Sequence, residues 1–233
     1  MPARWPSELR QAARDGANRL RGTTSYTLDL AVPMDLATTI QQILDRYRLR
    51  AFHCTRLLDW EVTDIRRSGL RVASDSLIND RLDAAVAAGV LRPEEATLLE
   101  ASNVLAHQRP NREHLLSACT TRRTLDEEAD GLRLLLTHWG GEIIYFWQQD
   151  SDLLAQLETI GRPAIVVVLL DTDPDRNLWS PDLANLVIGR HLGLSDACGQ
   201  VSYRGERGRR TPVEAVWLPG DFDYDRHTRL PRS

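Results

Sequence analysis

The stretch FHCTRLLDWEVTDIRRSGLRVAS, residues 52–74, decides how this chain is read. Residues 49–56 (LRAFHCTR) alternate in the manner of a short strand, and that strand ends in polar groups. His53 and Thr55 fall on one face of it, because successive strand side chains point to opposite sides. Residues 59–67 read as a short helix stopped at Gly69, and GLRVAS (69–74) as a second extended piece. A histidine and a hydroxyl side by side at an open strand end suit hydrogen bonding to a ribose or an amide. On these residues alone, a buried histidine satisfied at a strand end fits as well.

Outward from there, the pattern is α+β. Residues 6–20 and 35–48 carry apolar residues at helical spacing, with SYTLDLAV (25–32) between them as a strand. Residues 75–107 change character to helix, turn, helix, with Gly89 closing the first and Pro93-Glu94-Glu95 opening the second. This predicts a helical insertion between strands, its apolar stripe explained by packing. HLLSACT (114–120) is a strand. Thr124 and Glu127 fit a capping box, and Leu132, Leu135, Leu136 and Trp139 continue a helix as far as Gly140-Gly141. GEIIYFW (141–147), rich in β-formers, is expected as a strand and 152–160 as a helix. AIVVVLLD, after Pro163, reads as the central strand. Residues 181–192 are helical, and QVSYR and PVEAVWL are the last strands, parted by the loop GERGRR. The whole is one domain, 1–233, with residues 1–48 as an N-terminal extension.

Composition narrows the function. The 233 residues are 42% hydrophobic and 27% charged, as in ordinary globular proteins. With 29 basic against 33 acidic residues the net charge is −4, which argues against a wholly cationic nucleic-acid binder and leaves room for a local basic patch. Every basic residue is arginine, so mechanisms that need a P-loop lysine or a lysine Schiff base are excluded. Three scattered cysteines, 54, 119 and 198, make neither a disulfide framework nor a cysteine-rich zinc site. No two of the six histidines stand four apart, so no metal is expected. The N-terminus lacks an apolar core of signal-peptide length and the longest apolar run, Ala164–Leu170, is too short to span a bilayer; a cytoplasmic protein without membrane contact is expected.

Residues 52–74 resemble the first NAD-binding motif of the ADP-ribosyltransferase superfamily, in its poly(ADP-ribose) polymerase and diphtheria-toxin-like branch. That motif reads roughly Leu-x-His-Gly-Ser/Thr-Arg, a spacer with an isoleucine, then Gly-Leu-Arg-Ile-Ala; Cys54 stands where the family usually has glycine. The resemblance implies a split β-sandwich binding NAD in a cleft between two small sheets. It implies that His53 contacts the NAD ribose, and that Thr55 and the backbone at Cys54 hold the nicotinamide amide. Arg56 is placed to reach the pyrophosphate, and Gly69 and Leu70 continue the binding motif. The family also needs a late glutamate, an anion close to the positive charge that develops on the ribose as nicotinamide leaves.

Two glutamates compete for that role. Glu214, in PVEAVWLPGDF, has the chain order and a following sequence like the polymerase branch, although arginine-specific transferases carry their glutamate one residue nearer the proline, at Ala215 here. Glu142, in HWGGEIIY, opens an apolar run directly after two glycines, where packing explains it poorly. The tyrosine that stacks on nicotinamide in the polymerase branch is missing from HLLSACTTRRTL; Ser117, Trp139 and Tyr145 are its candidate replacements. That absence favours mono-transfer over polymerisation. The loop before Glu214 holds Arg204, Arg207, Arg209 and Arg210, four arginines suited to phosphate, with Arg122-Arg123 as a second candidate contact. The resemblance therefore implies mono-ADP-ribosyl transfer from NAD to a macromolecule, DNA or RNA included. A bacterial toxin or phage-defence effector, with an inhibitor or antitoxin protein as partner, lies within the same analogy. NAD hydrolysis and non-catalytic nucleotide or RNA binding on the same fold are the rival readings.

Overall fold

The computed structural model describes residues 5–20, 32–120, 135–173, 175, 177–180, 182–193 and 200–228. The expected strand at 25–32 falls almost wholly outside these residues. So do the Thr124/Glu127 capping box, Arg122-Arg123, Leu132 and Cys198.

Helices α1 (Ser7–Arg19) and α2 (Met34–Leu44) lead into β1 (Leu49–Leu57) and α3 (Asp59–Ser68). The insertion follows as α4 (Asp75–Ala87), α5 (Pro93–Ser102) and α6 (Val104–Arg112), then β2 (Leu115–Cys119). Next come α7 (Glu142–Tyr145), α8 (Ser151–Thr159), β3 (Arg162–Leu170) and β4 (Asn177–Ser180). The chain closes with α9 (Leu183–Leu192), β5 (Gln200–Arg204), β6 (Val213–Trp217) and α10 (Phe222–Thr228).

The architecture is mixed α+β, with one antiparallel sheet in the order β4-β5-β2-β1-β3-β6. The two separate small sheets that the resemblance implies are therefore joined. The join is slight: β1 and β3 pair along Leu49↔Leu170 to Leu57↔Arg162, while β1 meets β2 only at Phe52↔Cys119 among the described residues. Among the described residues, the sheet thus has two three-stranded halves that share one paired position.

Alternation along the strands assigns the faces. Ala51, Leu57, Val166, Val168, Leu116 and Val216 form one core with Val62 and Ile65 of α3. Cys54, Cys119, Ile165, Val167 and Trp217 form another on the opposite face, with Leu136 and Tyr224 of α10. The N-terminal helices are not a loose extension: Leu9, Ala13, Ile40 and Leu44 pack against Ile188 and Val187 of α9. Among the described residues, no helix is long and apolar enough to cross a membrane.

Two expectations change. The insertion has three helices and runs to Arg112, because Asn103 interrupts the second one; its side chain accepts the backbone N–H groups of Leu105 and Ala106 and so caps a new helix. GEIIYFW is not a strand. Gly140 (φ 90°) and Gly141 (φ 65°) turn the chain, and a single helical turn follows. A Cβ on Gly140 would collide with Ile144, whose side chain is fully buried beside Leu153 and Leu157 of α8. Tertiary packing there overrides β propensity.

A candidate active site at the seam of the sheet

Where β1 and β2 part, a cleft of about 600 Å³ opens. His53, Thr55, Ser117 and Leu70 line it, together with Gly141, Glu142 and Tyr145, and the insertion contributes Arg81 and Arg112. The His53 Nδ1–H donates to the Ser117 backbone carbonyl at 2.8 Å, bridging the two halves of the sheet beside their paired position. A carbonyl can only accept, so the neutral ring carries its proton on Nδ1 and leaves Nε2 as an acceptor. Burial holds the imidazole below its ordinary value of 6.5, against the pull of the Ser117 carbonyl.

That shift gives a pH test. The folded imidazole keeps Nε2 as an acceptor to lower pH than a free histidine would. Affinity for a ligand that donates to Nε2 should stay flat as pH falls through 6.5, and drop only below it. Fold stability, in contrast, starts to fall near 6.5, because the unfolded chain takes up its proton first. Calorimetric titration with NAD from pH 7.5 to 5 checks this; an affinity inflection at or above 6.5 would remove His53 from the contact.

Glu142 opens α7 straight after the glycine turn and lines the cleft. Arg112 of the insertion is its ion-pair partner, loosely, at 3.6 Å. A Cβ on Gly141 would come within 3.3 Å of Thr55 Oγ1, so the turn passes close to the polar end of β1. The Tyr145 ring packs on His138 with centroids 4.6 Å apart, and burial, helped by Glu142, pushes its hydroxyl up to about 12. It therefore remains an O–H donor at neutral pH. Trp60 and Phe146 also line the cleft, and each keeps more than a third of its surface exposed (39% and 46%). Exposed aromatic faces on a cleft wall are suited to stacking a flat ring.

Beneath the turn lies a buried ionic network absent from the sequence reading. Glu61 of α3 and Arg81 of α4 are both buried, with Arg81 Nε 2.6 Å from Glu61 Oε1. Glu61 Oε2 accepts from Trp139 Nε1 at 2.7 Å and from the Leu58 backbone N–H at 2.8 Å. Arg81 Nη1 donates to the Gly140 carbonyl at 3.1 Å, and its guanidinium lies over the Trp139 ring. The network thus fixes the turn that carries Glu142. Arg81 Nη2, also buried, has no hydrogen-bond partner among the described residues. The signal was present in the sequence: Arg81 interrupts the apolar stripe of Ile78, Leu82 and Ala85.

Other expected residues lie elsewhere. Glu214 is not in the cleft; on β6 it makes a two-pronged ion pair with Arg50 at 3.0 and 3.1 Å. Arg50 in turn lies over Phe52 and Trp217, on the face opposite α3. Arg56 donates Nε–H to the Ile160 carbonyl at 2.7 Å rather than facing the cleft. Gly69 ends α3 at φ 87°, where a Cβ would meet the Thr211 carbonyl; it shapes the wall without lining it. Of the loop arginines, Arg210 reaches the cleft, tied to Asp64 at 2.6 Å, whereas Arg204, Arg207 and Arg209 do not. Cys54 lines the cleft but packs with Cys119 on the other face, and burial raises its thiol far above the usual range, so it is no nucleophile.

Comparison with family models, with curated proteins and with solved structures finds no match to this chain.

Proposed function

We propose that the protein is an NAD-dependent mono-ADP-ribosyltransferase of the ADP-ribosyltransferase superfamily, acting on a macromolecular acceptor. One observation carries the reading: His53, Thr55 and Ser117, drawn from the motif region and the next strand, share a cleft with Glu142 at the parting of the sheet. Neutral His53 accepts a ribose hydroxyl at Nε2, while Thr55 and the strand backbone hold the carboxamide. Trp60, Phe146 and Tyr145 offer ring faces to nicotinamide. The bond between ribose C1′ and the pyridinium nitrogen then breaks, its electron pair passing to nitrogen, and neutral nicotinamide leaves. The Glu142 carboxylate stabilises the cation left at C1′. An acceptor oxygen or nitrogen attacks C1′ and gives up its proton.

The test is nicotinamide release from NAD, followed together with transfer of labelled ADP-ribose to protein, DNA and RNA. Release with label on a macromolecule supports the proposal. Release with free ADP-ribose as the sole product makes the enzyme a hydrolase, and no release at millimolar NAD overturns the reading.

A further inference from the structure

A second cavity, of about 640 Å³, adjoins the cleft and shares Arg71 and Arg210 with its wall. Arg207 and Arg209 line it from the loop before β6, and Ser74, Ser76 and His114 from the opposite side. Four arginines thus face two carboxylates, Asp75 and Glu113, in a chain whose net charge is −4. Both carboxylates are already engaged by Arg109, outside the cavity, at 2.7 and 3.0 Å. Arg71 is steadied by Asp80 and Ser76, and Arg210 by Asp64 and the Gly69 carbonyl. Arg209 reaches Glu206 at 3.1 Å, while the Arg207 guanidinium has no ion-pair partner among the described residues.

His114 supplies an independent sign. Among the described residues it is the one non-glycine with positive φ, 62°. Its backbone is clamped on both sides, N–H to the Ala73 carbonyl at 2.7 Å and carbonyl from the Gly205 N–H at 2.9 Å. Its Nδ1 is buried without a partner among the described residues. A left-handed backbone and an unsatisfied ring nitrogen at one residue mark a position held for something other than packing.

We propose that this cavity binds a phosphate of a single nucleic-acid strand, whose neighbouring nucleotide enters the cleft as the acceptor. Guanidinium forks match the two charged non-bridging oxygens of a phosphodiester, and the Ser74 and Ser76 hydroxyls of the same cavity are further donors of the kind that hold a strand by its phosphates. The continuous wall formed by Arg71 and Arg210 places the anion site next to the reacting carbon. The acceptor role rests on the NAD reading above, while the phosphate site stands apart from it.

The experiment is fluorescence anisotropy of end-labelled 15-nucleotide single strands, one DNA and one RNA of mixed sequence, without NAD, over a salt series. Nicotinamide release is read in parallel samples. One strand or both should bind. The double variant Arg207→Gln/Arg209→Gln should weaken binding at least about tenfold and flatten the salt slope by up to about 0.7, the contribution of the one single-strand phosphate that the cavity holds. Arg207→Lys should keep most of the slope, since it keeps the charge. No binding to either strand, an unchanged slope in the double variant, or displacement by polyglutamate or inorganic pyrophosphate at equal charge concentration would overturn the proposal. Strand binding without nicotinamide release would sink the NAD reading and leave the phosphate site standing; release without strand binding would do the reverse.

Discussion

Glu142→Gln is expected to lower nicotinamide release from NAD by about 10²–10³-fold, the cost of removing one group aimed at developing charge, while NAD binding is retained. Glutamine keeps the shape of the side chain and removes its charge, so only the step that generates a cation should suffer. The carboxylate is available for this role because its ion-pair partner, Arg112, stands off at 3.6 Å. Glu214 gives the contrast. Its carboxylate is locked on Arg50, with side chains 43% and 34% exposed. Glu214→Gln should leave release unchanged and alter stability by no more than about 1 kcal/mol, the range for surface pairs. Steady-state release by both variants, with NAD binding measured separately, decides the matter; a dead Glu214 variant beside an active Glu142 variant would reverse the assignment.

Glu61→Leu is expected to be the most destabilising single change. It strands the Arg81 charge in the interior and leaves the Trp139 indole N–H and the Leu58 backbone N–H without an acceptor. Breaking one side of a buried ion pair costs about 3–5 kcal/mol, and at about 2–4 °C per kcal/mol for a chain of this size Tm should fall by roughly 10 °C. The double variant Glu61→Leu/Arg81→Met should recover most of that loss, because a pair of apolar side chains carries no uncompensated charge. It should not recover all of it, since the indole N–H remains unsatisfied. Nor should it recover activity, because the Gly140 carbonyl loses the Arg81 tether that fixes the turn before Glu142. Thermal and urea unfolding of the two variants are the measurements. A double variant no more stable than Glu61→Leu would show that uncompensated charge is not the source of the cost.

The parts of the fold legible in the sequence were those where one local signal acts without competition. The run at 164–170 is apolar throughout and lies mid-sheet between β1 and β6. His53 and Thr55 line the cleft from β1 as their alternation requires. Residues 141–147 misled because β-forming side chains follow two glycines whose positive φ bends the chain before a strand can start. The choice between Glu142 and Glu214 could not be made along the chain. It depends on the β3–β6 register, which shifts between Val167 and Val168, and on Arg50, which lies 164 residues from Glu214 in sequence. Arg81 stands within the apolar stripe of α4, but its partner Glu61 looks like a solvated helix charge until α3 and α4 are brought together. The final helix, α10, leaves no apolar periodicity in an acidic segment with few apolar residues.

Among the described residues, the shortest ladder of the sheet, Phe52↔Cys119, lies at its centre rather than at its rim. Sheets ordinarily loosen from their outer strands, where hydrogen bonds are one-sided and water is near. Here, among the described residues, the outer strands are paired along longer ladders than the middle. Anything that grips both sides of that middle ladder, as His53 already does through Ser117, works as a clasp. For such a molecule, occupying the cleft and bracing the join between β1 and β2 are the same event.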